Sequence, residues 1–490
     1  MMQLEFVSAP PQTLHRAQPL REGILRARQT ARAVLVSVSE QLDALDLIAL
    51  YQAAHVFTSE RYFWSQPARG RTHLGVGAAH IIETSGPQRF QETAAQWRTL
   101  LQDAVVAHPH ADVARPSRED VRITKPSEFP EAGPRLLGGF AFDPQSPTTE
   151  LWRGFPHGRM ILPELVFTQT PTASWLTRNA LVSAASDADE LLEQLDARAA
   201  QLPRAVKVTR SASNGHHAQL AAHDLRPAAE WQRDVARAVE AIQRGEMDKV
   251  VLARAAQLRA SAPFDTAHAL RTLTKNYADC TLFAIARGDQ CFLGATPERL
   301  VQLRAGEVKT MSLAGSIARG KGAAEDERLG QALLQSEKDR AEHAFVVQAI
   351  VEALSELCAP LEIPTQPGLL KLGNIQHLST PITGRLANGH TVLDLVERLH
   401  PTPAVGGRPL PVALEFIRAH ERLDRGWYAG PVGWMNACGE GEFVVALRSA
   451  LVHDDTATLF AGCGIVAHSD PKREYAEARL KLKPMLTALW

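Results

Sequence analysis

The sequence predicts a mixed α+β fold in which neighbouring strands form hairpins rather than βαβ crossovers. Two observations carry that expectation. From residue 33 to about 184, short runs rich in Val, Ile, Leu and Phe follow one another between glycines and prolines, with one long helical stretch among them. Beyond residue 228, well-marked amphipathic stretches are separated by groups of strand-like runs, so helices are too few to give each strand its own crossover.

Taken in order, AVLVSV at 33–38 reads as the first strand and 40–54 as a short acidic, leucine-rich helix. HLGVGAAHII at 73–82, RLLGGFAFD at 135–143, RMILPELVFTQ at 159–169 and ASWLTRNALVSA at 173–184 read as strands, with a helix at 88–106 between the first two. Between 186 and 227 the composition shifts to Ala, Asp, Glu and Arg and then to SASNGHH. That segment reads as a helix and an exposed connection, placing the best internal boundary between 1–215 and 228–490. AAEWQRDVARAVEAIQRGE then forms a helix closing at Gly245, and DKVVLARAAQLRA a strand. A helix at 266–276, strands at 281–286 and 291–295, the segment ATPERLVQL, the strand EVKTMSLAGS and a long helix from about 325 to 358 follow. Strands at 369–380, 430–437, 442–452 and 457–466, a helix at 391–399 and a last helix carrying Glu474 and Glu477 complete the chain. No internal repeat or low-complexity tract interrupts it.

The totals exclude several classes. With 490 residues and a net charge of −1, the chain can bury a large core and lacks the positive field that nucleic acid or an anionic membrane would require. Small molecules are the expected partners. The five cysteines are odd in number and scattered, which fits a reducing cytoplasm better than a disulfide framework or a zinc site. The first 28 residues hold arginines and helix-interrupting prolines but no apolar run long enough for a secretory signal, and no stretch reaches the length of a membrane span. The pairs His108 with His110 and His216 with His217 lack the remaining ligands of a metal site and read as loop histidines.

One C-terminal stretch gathers chemistry: LFAGCGIVAHSDPKREYAEARLKLK, residues 459–483. Gly462 and Gly464 let backbone amides approach a ligand closely. Glu474, Glu477 and Lys481 share one helical face through their three- and four-residue spacings. Asp339 and Glu342, in SEKDRAEH, repeat the same carboxylate spacing on another helix. If the two faces converge, four carboxylates surround an oxygen-rich site suited to Mg2+. Spacing alone equally describes a solvated face salted with Lys338, Arg340 and Arg473, which is the commoner occurrence.

Three further positions stand out. Lys249 opens the apolar strand KVVLAR, where a desolvated amine could take a proton from water and a snorkelling lysine would simply reach solvent. Glu298, in GATPERL, follows Thr and Pro on a turn. Burial there would make it a general acid, and exposure would leave it paired with Arg299. Arg448 interrupts the alternating strand EFVVALRSALV; pointing inward it needs an anion, a carboxylate being suited to its fork, and pointing outward it needs none.

KVVLAR, GATPERL, MSLAGS, SEKDRAEHAFVV, NIQHLSTPITG, LHPTPAVGG, DRGWYAGPVGW, EFVVALRSA, AGCGIV and EYAEARLKLK occur in an order that closely resembles the chorismate-utilising enzymes. The likeness runs almost unbroken from 228 to 490 and continues more weakly upstream in GGFAFD and LPEL. It implies a large α/β/β/α sandwich of two mostly antiparallel sheets with outer helices, residues 1–215 contributing to the same body as the catalytic region 228–490. It implies Mg2+ on Glu342 and Glu477 with Asp339 and Glu474 in support, Lys249 as the base activating water, and Glu298 as the acid that assists the departing ring hydroxyl. Tyr428, Arg448, Lys481 and the amides around Gly462 and Gly464 would bind the pyruvyl-ether carboxylate, with His377 beside the ring. Members that add ammonia usually lack a lysine at position 249, and aminodeoxychorismate synthases tend to have one where Ala314 stands. Water is therefore the implied nucleophile and isochorismate the implied product. Salicylate synthases share the lysine but typically carry threonine in place of Ala404, whereas isochorismate synthases carry alanine followed by an aliphatic residue, here Val405. A salicylate synthase and a non-catalytic chorismate-binding protein are the alternatives. Such enzymes are often monomers, and the product's use stays open between menaquinone, a siderophore and salicylate.

Overall fold

The structure is a computed structural model that describes residues 17–109, 121–123, 131–146, 149–209, 222–371 and 375–490. His110, His216, His217 and the boundary expected near 215 lie outside the described residues. Within them, 14 strands form one sheet and ten a second. Neighbouring strands are antiparallel except where Val34–Leu42 runs parallel to Val105–Pro109, so hairpins prevail as expected. Apolar side chains of both sheets meet in one core: Phe283, Phe292 and Phe460 from the larger sheet, Phe140, Val301 and Phe443 from the smaller. Each such side chain, almost wholly removed from water, stabilises the fold by about 1.5–3 kcal/mol. Helices cover the outer faces; Leu47–Ala53, Thr266–Asn276 and Lys483–Leu489 close a second apolar layer on the larger sheet.

Strands from before residue 210 and after residue 221 are interleaved within both sheets. Arg61–Gln66 pairs with Thr281–Arg287 in the larger sheet, and Arg135–Phe140 with Pro431–Asn436 in the smaller.

Three runs that read as single strands each change sheet midway. HLGVGAAHII divides into Arg71–Val76 and His80–Thr84 at Gly77, whose φ of +71° only glycine adopts freely. RMILPELVFTQ divides at Pro163 into Gly158–Leu162 and Leu165–Gln169. The four halves pair as a two-stranded ribbon that leaves one sheet and joins the other. EFVVALRSALV does the same: Gly441–Val445 belongs to the smaller sheet and Ser449–His453 to the larger, with Arg448 in the break rather than on a strand. Its partner is the segment around Glu298, which passes between Gln290–Thr296 and Arg299–Arg304.

Other elements also differ from expectation. The prolines do not exclude an N-terminal helix: Gln18–Thr30 is helical, with Pro19 in the first turn, where no amide hydrogen is needed. Arg61–Gln66 is a fully buried strand whose sequence, RYFWSQ, lacks the period-2 alternation that marks a strand. The long helix is two, Ala323–Gln335 and Glu337–Ser355, because Ser336 adopts extended backbone and its side chain accepts from the Asp339 amide, capping a new helix. The strand expected at 369–380 is Gly368–Lys371 followed by Ile375–Leu386, and Leu410–His420 adds a helix.

Candidate active site

The ribbon crossing builds the floor of a cavity of about 540 Å³. Glu298 and Arg448 lie side by side there because their backbones are joined: the Val445 amide donates to the Glu298 carbonyl (3.0 Å) and the Ala295 amide to the Arg448 carbonyl (3.2 Å). Arg448 holds φ +50° and nearby Ala429 φ +62°, conformations unfavourable for residues with a Cβ and typical of positions held by their surroundings. Tyr428, next to Ala429, stacks on Phe460 at 5.2 Å and turns its ring into the same cavity.

The remaining walls come from strands, loops and two helices. Lys249 stands at the start of Lys249–Arg259, beside Thr456–Ile465, in which Gly462 and Gly464 face Ala253 and Val251. A Cβ on Gly464 would come within 2.7 Å of the Lys249 Cε, and one on Gly462 within 3.2 Å of the Tyr428 hydroxyl. Gly464→Ala should therefore displace the lysine chain rather than break the sheet. We expect turnover to fall about tenfold or more with an unchanged melting temperature, checked by steady-state kinetics beside thermal unfolding.

His377, on Ile375–Leu386, pairs with Ser316 just past a bulge where Gly315 takes φ +74° against the Asp339 Cβ. Ala404 lines the cavity from the loop before Gly407–Arg408.

The carboxylates arrive on two helices. Asp339 and Glu342 ride the first turns of Glu337–Ser355, whose neighbour His343 bonds the Thr380 hydroxyl at 2.7 Å and fixes the helix on the sheet. Glu474 and Glu477 ride Pro471–Lys481, capped by Asp470. All four face the cavity. Glu342 accepts from Lys249 Nζ at 2.7 Å, Glu477 from Lys481 Nζ at 2.8 Å, and Glu474 from Ser469 Oγ at 2.7 Å, while Asp339 is held by the Ser336 hydroxyl. Lys481 also donates to the Gly462 carbonyl at 3.1 Å.

Electrostatics sorts these groups. Burial pushes Glu298 up to about 7 despite the opposing charges of Lys249, Lys481 and Arg448, so it carries a proton at neutral pH for much of the time. His377 is pushed down to about 4 by burial and then by Arg448 and Lys481, and is neutral. Burial raises Glu477, but Lys481 more than reverses this and holds it below the usual carboxylate range. Burial lowers Arg448, and among the described residues no carboxylate reaches ion-pair distance of its guanidinium. A desolvated arginine facing an open cavity calls for an anionic ligand.

Mg2+ takes oxygen ligands and commonly uses only one or two protein carboxylates, completing its shell with water and substrate. Among the described residues no three Asp, Glu, His or Cys side chains stand close enough to hold a metal by themselves. Glu342 and Glu477, presented from two helices into one polar cavity, suit a hard cation of that habit.

The sequence reading passed over Arg425 and Glu421. Arg425 also lines the cavity, and its side chain is buried against Glu421. The only signal was its place in DRGWYAG.

The family model described as "Chorismate binding enzyme" matches residues 22–490. The chain is 40% identical over 468 residues to the salicylate biosynthesis isochorismate synthase of Pseudomonas aeruginosa, covering 95% of this chain and 92% of that protein. It is 37% identical over 467 residues to the isochorismate synthase MenF of Bacillus subtilis, covering 95% of each. The structure of MenF, the menaquinone-specific isochorismate synthase from Escherichia coli, superposes with a TM-score of 0.74 at 26% identity, covering 96% of this chain and 100% of that one. With a family match across nearly its whole length and relatives aligned end to end on the same two-sheet fold, the chain belongs to the chorismate binding enzymes.

Proposed function

We propose that the chain is an isochorismate synthase, which adds water at C2 of chorismate as the C4 hydroxyl departs. The observation that carries this reading is a protonatable acid, a lysine and a guanidinium without an ion-pair partner among the described residues, all sharing one cavity. Lys249 takes the proton from the attacking water, and Glu298 gives its proton to the C4 oxygen, which leaves as water. One water enters and one leaves, so the net change is an isomerisation. Arg448, Tyr428, Lys481 and the amides around Gly462 and Gly464 hold the pyruvyl-ether carboxylate, and neutral His377 lies beside the ring. Ala404 leaves room at the wall where a larger polar side chain would touch the substrate.

Glu342 and Glu477 would hold Mg2+, with Asp339 and Glu474 supporting them through water. Bound there, the ion supplies positive charge against the ring carboxylate. The five cysteines are all free thiols, and no helix among the described residues is long and apolar enough to cross a membrane, which supports a place in the cytoplasm.

Incubating purified protein with chorismate and Mg2+ and separating the products tests the reading. Isochorismate alone supports it. Stoichiometric salicylate and pyruvate would make the protein a salicylate synthase, and no turnover would leave a binding protein. Arg448→Lys keeps the charge but loses the planar fork, so KM for chorismate should rise about 10- to 100-fold with a smaller change in kcat, as read from initial rates.

A further inference from the structure

We propose that the buried Glu421–Arg425 pair is a positioning device that sets the base-bearing strand, the Ala404 wall and the Tyr428 turn relative to one another. The inference rests on the isochorismate-forming reading of the cavity. Both side chains are almost fully buried, 1% and 4% exposed. Arg425 binds Glu421 through Nε at 2.6 Å and Nη2 at 2.5 Å. Two further N–H groups donate to main-chain carbonyls: Nη2 to Val251 at 2.7 Å and Nη1 to Val405 at 3.1 Å. Glu421 in turn accepts from the Ala253 amide at 2.7 Å.

The distant strand, the Ala404 loop and the turn that follows Arg425 meet on this one pair. Val251 and Ala253 lie on the strand that begins with Lys249; Val405 follows Ala404; and the Arg425 carbonyl accepts from the Tyr428 amide at 2.8 Å. Each segment contributes a cavity wall. Thr456–Ile465 holds the strand along its other edge. The proline-rich loop meets the strand only through the two-residue pairing of Gly407–Arg408 and the Val251 amide, which donates to the Gly406 carbonyl at 3.0 Å. The buried pair ties the two together on the Val405 side. The guanidinium also lies 4.3 Å over the Phe142 ring, which fixes its plane.

A buried pair is weak support for stability in itself. Breaking it by removing one partner leaves a bare charge, whereas replacing both partners with apolar side chains of similar volume is often neutral. That asymmetry separates positioning from stability. The double variant Glu421→Met/Arg425→Met should fold with a melting temperature within a few degrees of the parent, yet lose the hydrogen bonds that hold the walls. Displacements of about 1 Å cost on the order of 100-fold in rate. The expected result is a kcat lowered about 100-fold, a KM for chorismate within about threefold, and faster hydrogen exchange at the Ala253 amide and in the 402–406 loop. A folded double variant with parental kcat would overturn the proposal. Should the double variant fail to fold, Arg425→Lys decides: it keeps the charge beside Glu421 but has one nitrogen in place of the fork. A kcat loss without a KM change is expected, and parental kcat overturns the proposal. A parent enzyme that forms no isochorismate sinks the functional reading instead. Amide exchange of the 249–253 and 402–406 segments then still decides the positioning role, unchanged exchange in either folded variant counting against it.

Discussion

Glu298→Gln lowers turnover by about 10³-fold while leaving chorismate affinity nearly unchanged, because glutamine preserves shape and polarity but has no acidic proton to give. The general acid must be protonated, and burial holds Glu298 at about 7, so activity of the parent enzyme should fall as pH rises through that value. The residual activity of the variant should lack this limb. The parent's stability also falls as pH rises, over the range just below that limb. The folded-state pKa lies above the ordinary 4.5, so the folded protein binds the proton more tightly than the unfolded chain does. The stability carried by the neutral form is fully present below pH 4.5, declines between 4.5 and 7, and is lost above 7. Glutamine never ionises, so the variant should be about 1–3 kcal/mol more stable than the parent at pH 8 and equal to it near pH 4. Urea unfolding at the two pH values measures the difference. A gain in stability joined to a loss of turnover marks a group kept for chemistry at a cost to the fold.

Lys249→Arg abolishes water addition as completely as Lys249→Ala does, lowering turnover by about 10²- to 10⁴-fold. The comparison matters because Lys249 donates to Glu342 at 2.7 Å and so also serves the charge balance of the cavity. Alanine removes both roles. Arginine retains a cation that can reach Glu342 but cannot give up its proton in a protein, so it preserves the pair and loses the base. Chorismate binding, followed by calorimetry, should survive in the arginine variant. Substantial turnover with arginine at position 249 would take the base role from this residue and leave it an electrostatic one.

Much of the architecture was legible because it is announced locally. The helix Thr266–Asn276 is capped by Asp265, and Ala228–Gln243 ends before Gly245 at φ +76°; both were read within two residues of their ends. What escaped is decided by tertiary context. EFVVALRSALV stays buried and strand-like on both sides of Arg448, so nothing in the pattern reveals that it leaves one sheet for another. The same holds at Gly77 and Pro163, whose punctuation suggests a turn without saying which sheet receives the next strand. Ser336 was the readable exception: Ser-x-x-Asp is a capping pattern, hidden here inside a continuous helical stretch.

The candidate residues were named largely through ordered motifs, since their spacing alone described an ordinary helix surface as well as a metal site. The structure brings Lys249, Glu298, Asp339, Glu342, His377, Ala404, Tyr428, Arg448, Gly462, Gly464, Glu474, Glu477 and Lys481 to one cavity. Glu421 and Arg425 were illegible for a simple reason. A four-residue acid–base spacing ordinarily marks an exposed helix face, and only the packing of helix Leu410–His420 against the base-bearing strand turns it into a buried pair.

The central claim is that water from the solvent becomes the new hydroxyl of the product. Turnover of unlabelled chorismate in water enriched in oxygen-18, stopped early and analysed by mass spectrometry, reads this directly. Lys249-activated water addition predicts isochorismate carrying one heavy oxygen at C2 from the first turnovers. Isochorismate formed without label would mean that the C4 hydroxyl itself migrates, which would contradict the roles given to Lys249 and Glu298.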